Sequence, residues 1–250
     1  MGSPGELTAA TIERAARVDL AAAFRLAVRL DLHEGVCNHF SVMLADGRRF
    51  LLNRYGLHWS EVNASNLLAL DAEGRVLAGE GEYEKTAFWI HSRIHVAHPH
   101  ASCVLHTHMP YATALTLLED GRLEMIEQNA LRFHDDIAYD DNYSGLVVDV
   151  AEGDRLAQVL GGKRVLFLAN HGVIVVGPSV AEAFDALYYL ERACRLQVLA
   201  RVMGGKRRPV PADVVERTCR MLRDDAPKYA GAHFEALKRI LEREEPAYSR

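Results

Sequence analysis

The chain has 250 residues, of which 49% are hydrophobic and 25% charged, and its formal net charge is -5. This composition is typical of a globular protein, and the length suits one large domain. The acidic balance argues against a nucleic-acid partner, because such a partner requires a basic surface. Residues 1–6 are predicted to be a disordered start, and residues 7–250 a single domain with a helical extension from about residue 212.

The sequence also bears on the compartment. It has no apolar run of 18 residues, and its N-terminus lacks the basic and apolar regions of a secretory signal. Four cysteines are scattered without CxxC spacing, which favours free thiols in a reducing environment. We therefore expect a cytoplasmic protein that does not contact a membrane.

The N-terminal part is predicted to begin with a long helix and to continue with two β-hairpins. Residues 7–30 are alanine-rich and carry apolar residues at helical spacing. The next apolar stretch is interrupted by Asp46-Gly47, a strong hairpin signal, and a similar turn lies near Glu73-Gly74. A helix over residues 86–97 follows.

The central part is predicted to alternate strands with helices. An apolar strand occupies residues 101–108, and a helix over residues 110–118 has proline in its first turn, where a missing N–H is tolerated. A helix over residues 150–162 ends in glycines. Two apolar strands then flank residues 170–172.

A second long helix is predicted over residues 179–204. Ser179 can cap its first turn, Glu182 lies three residues later, and apolar periodicity continues for more than twenty residues. Two shorter helical segments follow Pro211. Because strands fill the middle of the chain and helices cover both ends, the predicted fold class is α/β, or mixed α+β, with one sheet between helical layers.

Two histidines, His106 and His108, lie one residue apart at the end of an apolar strand, in LHTHM. Residues i and i+2 of a strand project from the same face, about 7 Å apart at Cα for a rise near 3.3 Å per residue. This spacing suits two ligands of one divalent metal ion. A pair of histidines without a metal fits the same pattern.

His171 separates two apolar strands and is followed by Gly172, where the chain must turn with little side-chain bulk. A buried imidazole at such a place needs a partner, and a metal ion would supply one. Three histidines with an open fourth position are typical of a catalytic metal site. We therefore predict that His106, His108 and His171 bind a divalent metal ion.

The motifs, in this order, resemble the class II aldolase/adducin family. The resemblance rests on NHFSV, FLLNRYGL, LHTH, ANHG and the long helix that follows, and it extends from about Val18 to Met203. It implies a three-layer α/β/α sandwich around a mainly antiparallel sheet. It also implies a homo-oligomer, commonly a tetramer, with active sites at subunit interfaces.

The resemblance further implies one divalent metal ion per subunit on the three histidines. In the sugar-phosphate aldolases of the family this ion is zinc, which is the expected metal here. Manganese and iron are alternatives, because imidazole ligands suit all three metals.

The chain departs from those aldolases at the catalytic acid. Their glutamate lies four residues before a histidine that matches His91, and in this chain that position is Ala87. Glu82 and Glu84 lie close by and are candidates for the acid/base, with a solvated surface charge as the alternative for each. His91 is a further catalytic candidate, and Tyr139 is the candidate for the tyrosine that the aldolases bring in from a neighbouring subunit.

The substrate-binding positions implied by the resemblance are also altered. The two serines that help hold the substrate phosphate correspond to Lys85 and Thr86, and the phosphate-binding asparagine corresponds to His39. Lys85 with Arg54 could instead bind a carboxylate, so the expected substrate is a small anionic molecule. The predicted substrate-binding residues are His39, Asn53, Arg54, Gly56, Lys85, Thr86 and Gln128.

Three functions remain open at this point. The leading hypothesis is a metal-dependent lyase that cleaves a carbon–carbon bond next to a metal-chelating oxygen, by a retro-aldol reaction on a hydroxy-carbonyl substrate. The second is a decarboxylase of a hydroxylated aromatic or keto acid, since a carboxylate at position 87 would repel such a substrate. The third is a non-catalytic, adducin-like binding or scaffold protein. Iron-dependent oxygen chemistry on the same histidines is a further alternative.

Overall fold

An eight-stranded sheet with helices on both faces forms the centre of the computed structural model, which describes residues 8–250. The prediction for residues 1–6 lies outside the described residues. The helices are α1 (Ala9–Arg29), α2 (Lys85–Ala97), α3 (Pro110–Thr116), α4 (Val150–Leu160), α5 (Val180–Val202), α6 (Ala212–Asp224) and α7 (Ala226–Glu244). The strands are β1 (His39–Met43), β2 (Arg49–Leu52), β3 (Leu68–Asp71), β4 (Val76–Ala78), β5 (Cys103–Thr107), β6 (Ile137–Asp140), β7 (Val165–Leu168) and β8 (Gly172–Gly177).

The strand order is β4-β3-β2-β1-β5-β8-β7-β6. Every neighbouring pair is antiparallel except β6 and β7, which run parallel. This confirms the predicted mainly antiparallel sheet. In its middle, β5 pairs with β1 on one side, with His39 opposite His106, and with β8 on the other, with Ile174 opposite His106.

The two faces of the sheet are covered by different helices, which gives the predicted α/β/α layers. Because side chains alternate along a strand, Cys103 and Leu105 of β5 pack with α1, α3, α5 and α7, whereas Val104 packs with α2 and α4. His106 has the same parity as Val104 and therefore lies on the face covered by α2 and α4. Nothing in residues 8–250 forms a helix apolar and long enough to cross a membrane.

Local capping chemistry sets the starts of several helices. Ser179 accepts a hydrogen bond from the backbone N–H of Glu182 at the start of α5, as the sequence predicts, and Asp149 caps α4 in the same way. The boundaries of α2 agree with the prediction to within a residue. The predicted C-terminal extension consists of α6 and α7, and Phe234 and Leu241 of α7 pack into the same core cluster as α1 and α5.

Two local details differ from what the sequence predicted. No element was predicted where β6 forms, because this parallel edge strand has no clear alternation in the sequence. β5 ends at Thr107, so His108 follows the strand instead of belonging to it. The two helical segments expected after Pro211 are α6 and α7, and both are shorter than α5.

Candidate metal centre

Three histidines converge at the end of the β5–β8 pair. One ring nitrogen from each of His106, His108 and His171 lies within 4.8 Å of the others, and the ring centroids are 4.8–5.0 Å apart. His106 lies in β5, His108 directly after it, and His171 directly before β8. Since β5 and β8 are antiparallel neighbours, the end of one strand meets the start of the other, which brings the three rings together.

The turn before β8 fixes the position of His171. Asn170 has a φ of 57°, in the left-handed region that asparagine tolerates better than most residues. At Gly172 a Cβ atom would lie 2.6 Å from the carbonyl oxygen of Thr107, so only glycine allows this approach of β8 to β5. Asn170 and Gly172 therefore suit the backbone conformation on either side of His171.

The hydrogen bonds of His106 and His108 leave their Nε2 atoms available. Nδ1 of His106 donates to the carbonyl oxygen of Val173 at 3.0 Å, and Nδ1 of His108 is bonded to the carboxylate of Glu34. Nε2 of His108 is buried and has no hydrogen-bond partner in the part of the chain that is described. A lone pair left unpaired in this way fits a metal ligand, because ligating histidines usually donate their other N–H to a carbonyl or carboxylate.

Burial keeps the imidazoles of His106 and His171 neutral. Desolvation, reinforced by neighbouring histidines, lowers the pKa of His106 well below its usual value. The same causes, desolvation first, lower the pKa of His171 to about 4. A neutral imidazole is the form that binds a metal, so His106 and His171 would not have to lose protons at neutral pH to accept an ion.

A cavity of about 410 Å³ opens beside the histidines. Six of its lining residues were predicted from the sequence: His39, Glu84, Thr86, His106, His108 and His171. The others were missed: Glu34, Val36, Cys37, Tyr55, Ile90, Leu146 and Val147. None of these lining residues is a lysine or arginine. Within one chain, the cavity therefore has apolar walls and two carboxylates, and no cationic side chain that could bind an anion.

The position of the missing acid is part of the core. Ala87 is 1% exposed and packs with Phe88 and with residues of β2 and β3. Glu84 is the N-cap of α2, where its carboxylate accepts hydrogen bonds from the Ala87 N–H at 2.7 Å and from the Thr86 hydroxyl. Glu84 lies on the cavity wall, but its carboxylate oxygens are already used in capping. Glu82 is exposed and does not line the cavity.

The remaining predicted substrate-binding residues lie outside this cavity within one chain. Lys85, Arg54 and Gln128 are exposed, and Gly56 adopts a left-handed turn with a φ of 80°. Asn53 is buried, and its Oδ1 has no partner within residues 8–250. Their roles stay predictions.

Tyr139 lies on β6, away from the histidines of its own chain. Its hydroxyl oxygen accepts a hydrogen bond from the Leu123 N–H at 3.0 Å, and the Arg122 guanidinium lies 4.1 Å from the centre of its ring. It lines a separate cavity of about 570 Å³, which also contains Asn170. Tyr139 does not line the cavity beside the three histidines, and its catalytic role stays a prediction.

His91 lies behind the cavity wall and not on it. Nε2 of His91 is 2.8 Å from Nδ1 of His39, and Nδ1 of His91 is 2.5 Å from the hydroxyl of Ser41. The same hydroxyl is 2.7 Å from Nε2 of His95, and Nδ1 of His95 donates to the carbonyl oxygen of Ala101 at 2.8 Å. Four buried side chains thus form one continuous hydrogen-bonded chain that ends at the cavity. Burial, first among the causes, lowers the pKa of His39 to about 3 and that of His95 to about 4.

Comparison with known proteins gives the same family that the sequence motifs resemble. The sequence model of the family described as Class II Aldolase and Adducin N-terminal domain matches residues 18–198. A Caulobacter vibrioides protein named "Putative aldolase class 2 protein" is 36% identical over 76% of this chain and 74% of its own length. Alpha-adducin of Mus musculus is 34% identical over 77% of this chain, which corresponds to 26% of that longer protein.

Among solved structures, the aldolase II superfamily protein from Pseudomonas syringae is similar over the whole chain. The TM-score is 0.88 at 33% sequence identity, with 100% of this chain and 98% of that chain covered. The eight-stranded sheet, the order of the elements and the match over most of the sequence lead to the same result. The chain belongs to the class II aldolase/adducin family.

Proposed function

We propose that the protein is a metal-dependent lyase that cleaves a carbon–carbon bond of a small hydroxy-carbonyl compound by a retro-aldol reaction. The observation that supports it best is the cluster of His106, His108 and His171, in which one nitrogen of each ring lies within 4.8 Å of the others. The neutral rings of His106 and His171 and the buried, unpaired Nε2 of His108 fit a divalent cation better than they fit a purely structural role.

In this proposal the three histidines hold the ion, and the rest of the cavity holds the substrate. A bound zinc, manganese or iron ion supplies Lewis-acid stabilisation of negative charge on a substrate oxygen. Glu34 keeps His108 in the tautomer with Nε2 unprotonated, and the Val173 carbonyl does the same for His106. Val36 and Ile90 contribute apolar wall that limits the access of water.

Decarboxylation of a hydroxylated acid is the second reaction that the site could support. It is favoured by Ala87, which leaves no carboxylate at the position where the aldolases carry their acid, and by the capping contacts that occupy Glu84. A non-catalytic role is supported by the similarity to adducin. The three histidines argue against it, because a scaffold does not need three ring nitrogens directed at one point.

The metal is tested first. Protein purified without chelator is analysed for zinc, manganese and iron, and wild type is compared with His171→Ala and with His134→Ala as a control. His134 is a partly exposed histidine whose Nε2 lies 3.4 Å from the carboxylate of Asp135. We expect about one ion per chain in wild type and control, and strongly reduced metal in His171→Ala. The proposal would be overturned if wild type contained no metal as purified and its melting temperature did not change with any of the three ions.

The reaction is tested next on metal-loaded protein. Hydroxy-keto acids, sugar phosphates and hydroxyaromatic acids are incubated with wild type and with His171→Ala. Aldehyde release that requires both the metal and His171 supports the retro-aldol reaction, whereas carbon dioxide release supports decarboxylation. A metal-loaded protein that releases neither product, and that keeps a protein partner after His171→Ala, would be a binding protein.

A further inference from the structure

We propose that the buried chain formed by His95, Ser41, His91 and His39 fixes Nε2 of His39 as an unprotonated hydrogen-bond acceptor at the cavity. His39 thereby selects a substrate with a hydroxyl donor at this place and disfavours a phosphate group. This inference rests on the proposed function, because it assumes that the cavity beside the histidine cluster binds the substrate. Ser41, His91 and His95 act through His39 and are positioning residues.

The direction of every hydrogen bond in this buried series follows from its last bond, the one between His95 and the Ala101 carbonyl. The Ala101 carbonyl can only accept, so Nδ1 of His95 carries a proton. Neutral His95 must then accept at Nε2, which makes the Ser41 hydroxyl the donor. Ser41 has only one proton, so its oxygen accepts from Nδ1 of His91, and Nε2 of His91 accepts from Nδ1 of His39.

The number of available protons equals the number of hydrogen bonds. Three neutral imidazoles and one hydroxyl carry four protons, and the chain contains four hydrogen bonds, including the bond to the Ala101 carbonyl. Each proton is therefore used once, and Nε2 of His39 is the atom left with a free lone pair. Reversing any link would place two donors or two acceptors face to face, which is costly for buried groups.

Burial keeps water from replacing these links. Ser41 and His91 are 0% exposed, and His39 and His95 are 6% and 7% exposed. The small exposed part of His39 belongs to the cavity, which it lines, and its ring lies 4.8 Å from that of His106. Nε2 of His39 has no protein partner among residues 8–250, so it is free to bind a ligand next to the candidate metal.

The surroundings of His39 favour a neutral donor over an anion. A phosphate oxygen would meet the lone pair of Nε2 and find no N–H to accept from. Two carboxylates, Glu34 and Glu84, line the same cavity, and no lysine or arginine does so within the described chain. A hydroxyl or N–H group instead complements the lone pair directly.

The tautomer is tested by nitrogen-15 NMR of the histidine side chains in zinc-loaded protein. We expect His39 to show a protonated Nδ1 and an unprotonated Nε2. Ser41→Ala removes the only donor to His95 and the only acceptor for His91, so His39 should become a mixture of tautomers, and Ser41→Thr should restore the single tautomer. Ser92→Ala is the matched control, because Ser92 is also a buried serine but its hydroxyl has no hydrogen-bond partner within residues 8–250.

Substrate selection is tested with dihydroxyacetone and dihydroxyacetone phosphate, which differ only in the phosphate. We expect zinc-loaded wild type to bind dihydroxyacetone at least as tightly as the phosphate ester. Ser41→Ala should weaken binding of dihydroxyacetone about two- to tenfold, the range for one hydrogen bond, and Ser92→Ala should not. An Nε2-protonated His39 in wild type, or a phosphate ester bound more than tenfold more tightly, would overturn the inference.

The two proposals fail in different ways. The nitrogen signals and the binding preference do not require turnover. A protein with the expected tautomer and preference but without any metal-dependent cleavage would support this inference and contradict the lyase reaction. A protein that cleaves a carbon–carbon bond of sugar phosphates and binds the phosphate ester preferentially would support the lyase reaction and contradict this inference.

Discussion

Nδ1 of His108 donates a hydrogen bond to the carboxylate of Glu34, a residue in the loop between α1 and β1. Glu34 was not singled out in the sequence, where it is one acid among many. The contact forms because the loop returns to the end of β5, where the backbone N–H of His108 also donates to Oδ1 of Asn38 at 3.2 Å. A carboxylate in this position orients a metal-binding histidine and raises its basicity.

Glu34→Gln should therefore weaken metal binding without removing a ligand. We expect about a 10- to 100-fold loss of zinc affinity, the range typical for residues that orient metal ligands. Competition titration with a chromogenic chelator measures it. Glu82→Gln, which changes an exposed glutamate outside the cavity, is the control and should bind zinc like wild type. Equal affinities for the two variants would contradict the assigned role of Glu34.

Glu84 should contribute to stability as a helix cap. Glu84→Ala removes the acceptor for the Ala87 N–H at the start of α2 and should lower the free energy of unfolding by about 1 kcal/mol. Urea denaturation measures the change. Lys85→Ala, at the adjacent exposed position, should change stability by less than about 0.5 kcal/mol. If Glu84→Asp keeps the stability but abolishes turnover, Glu84 has a chemical role beyond capping.

The buried histidines predict a loss of stability in acid. The folded-state pKa of His95 is about 4 and that of His39 about 3, both below the ordinary value of 6.5. The stability that each contributes is complete above pH 6.5 and is lost as the pH falls toward the folded-state value, because the unfolded chain takes up the proton first. Each group adds a slope of up to about 1.4 kcal/mol per pH unit. Urea unfolding of metal-free protein between pH 7 and pH 4.5 tests this.

Glu191 provides an internal check of that prediction. Burial outweighs the hydrogen bonds that its carboxylate accepts from the N–H groups of Tyr111 and Ala112, and raises its pKa from 4.5 to about 7. Its contribution is present at low pH and is lost as the pH rises from about 4.5 to 7. The pH dependence of stability that Glu191 contributes therefore has the opposite sign to that of the histidines. Glu191→Gln should make the acid-induced loss of stability steeper. A shallower loss would show that the sign for Glu191 is wrong.

An oligomer is expected from the apolar surface beside the cavity. Leu146 and Val148, in the loop between β6 and α4, are 73% and 67% exposed, and Leu146 also lines the cavity. Neighbouring exposed apolar side chains of this size often mark a surface that contacts another protein chain. Light scattering should give a mass above that of one chain, and Leu146→Glu with Val148→Glu should lower it. Leu77→Glu, on the edge strand β4, is the control, and a monomeric wild type would contradict the prediction.

The sequence predicted most of the fold because its signals are local. Helical periodicity, the Ser179 cap and the Asp46-Gly47 turn each act within a few residues, and the structure reproduces them. β6 was not predicted because a short parallel edge strand is defined by its pairing with β7, which lies 28 residues away in the chain. Pairing over such distances is not readable from a single sequence.

The candidate site shows the same limit. The three clustered histidines could be found because two are separated by one residue and the third lies in a distinctive turn. The contacts that complete the site are long-range: Glu34 is 74 residues from His108, and Ser41 is 50 residues from His91. The register of β1 against β5 places His39 and Ser41 over α2, and no local pattern contains that register.

β1 and β5 are the fourth and fifth strands of the eight, so each is paired along both sides. Fluctuations that open a protein locally begin at loops, termini and sheet edges, and reach the central strands last. We therefore expect the backbone amides around His39 and His106 to exchange with deuterium among the slowest of the chain. The loop that carries Leu146 and Val147 should exchange far faster, so that the rim of the cavity moves to admit a ligand while its floor stays still.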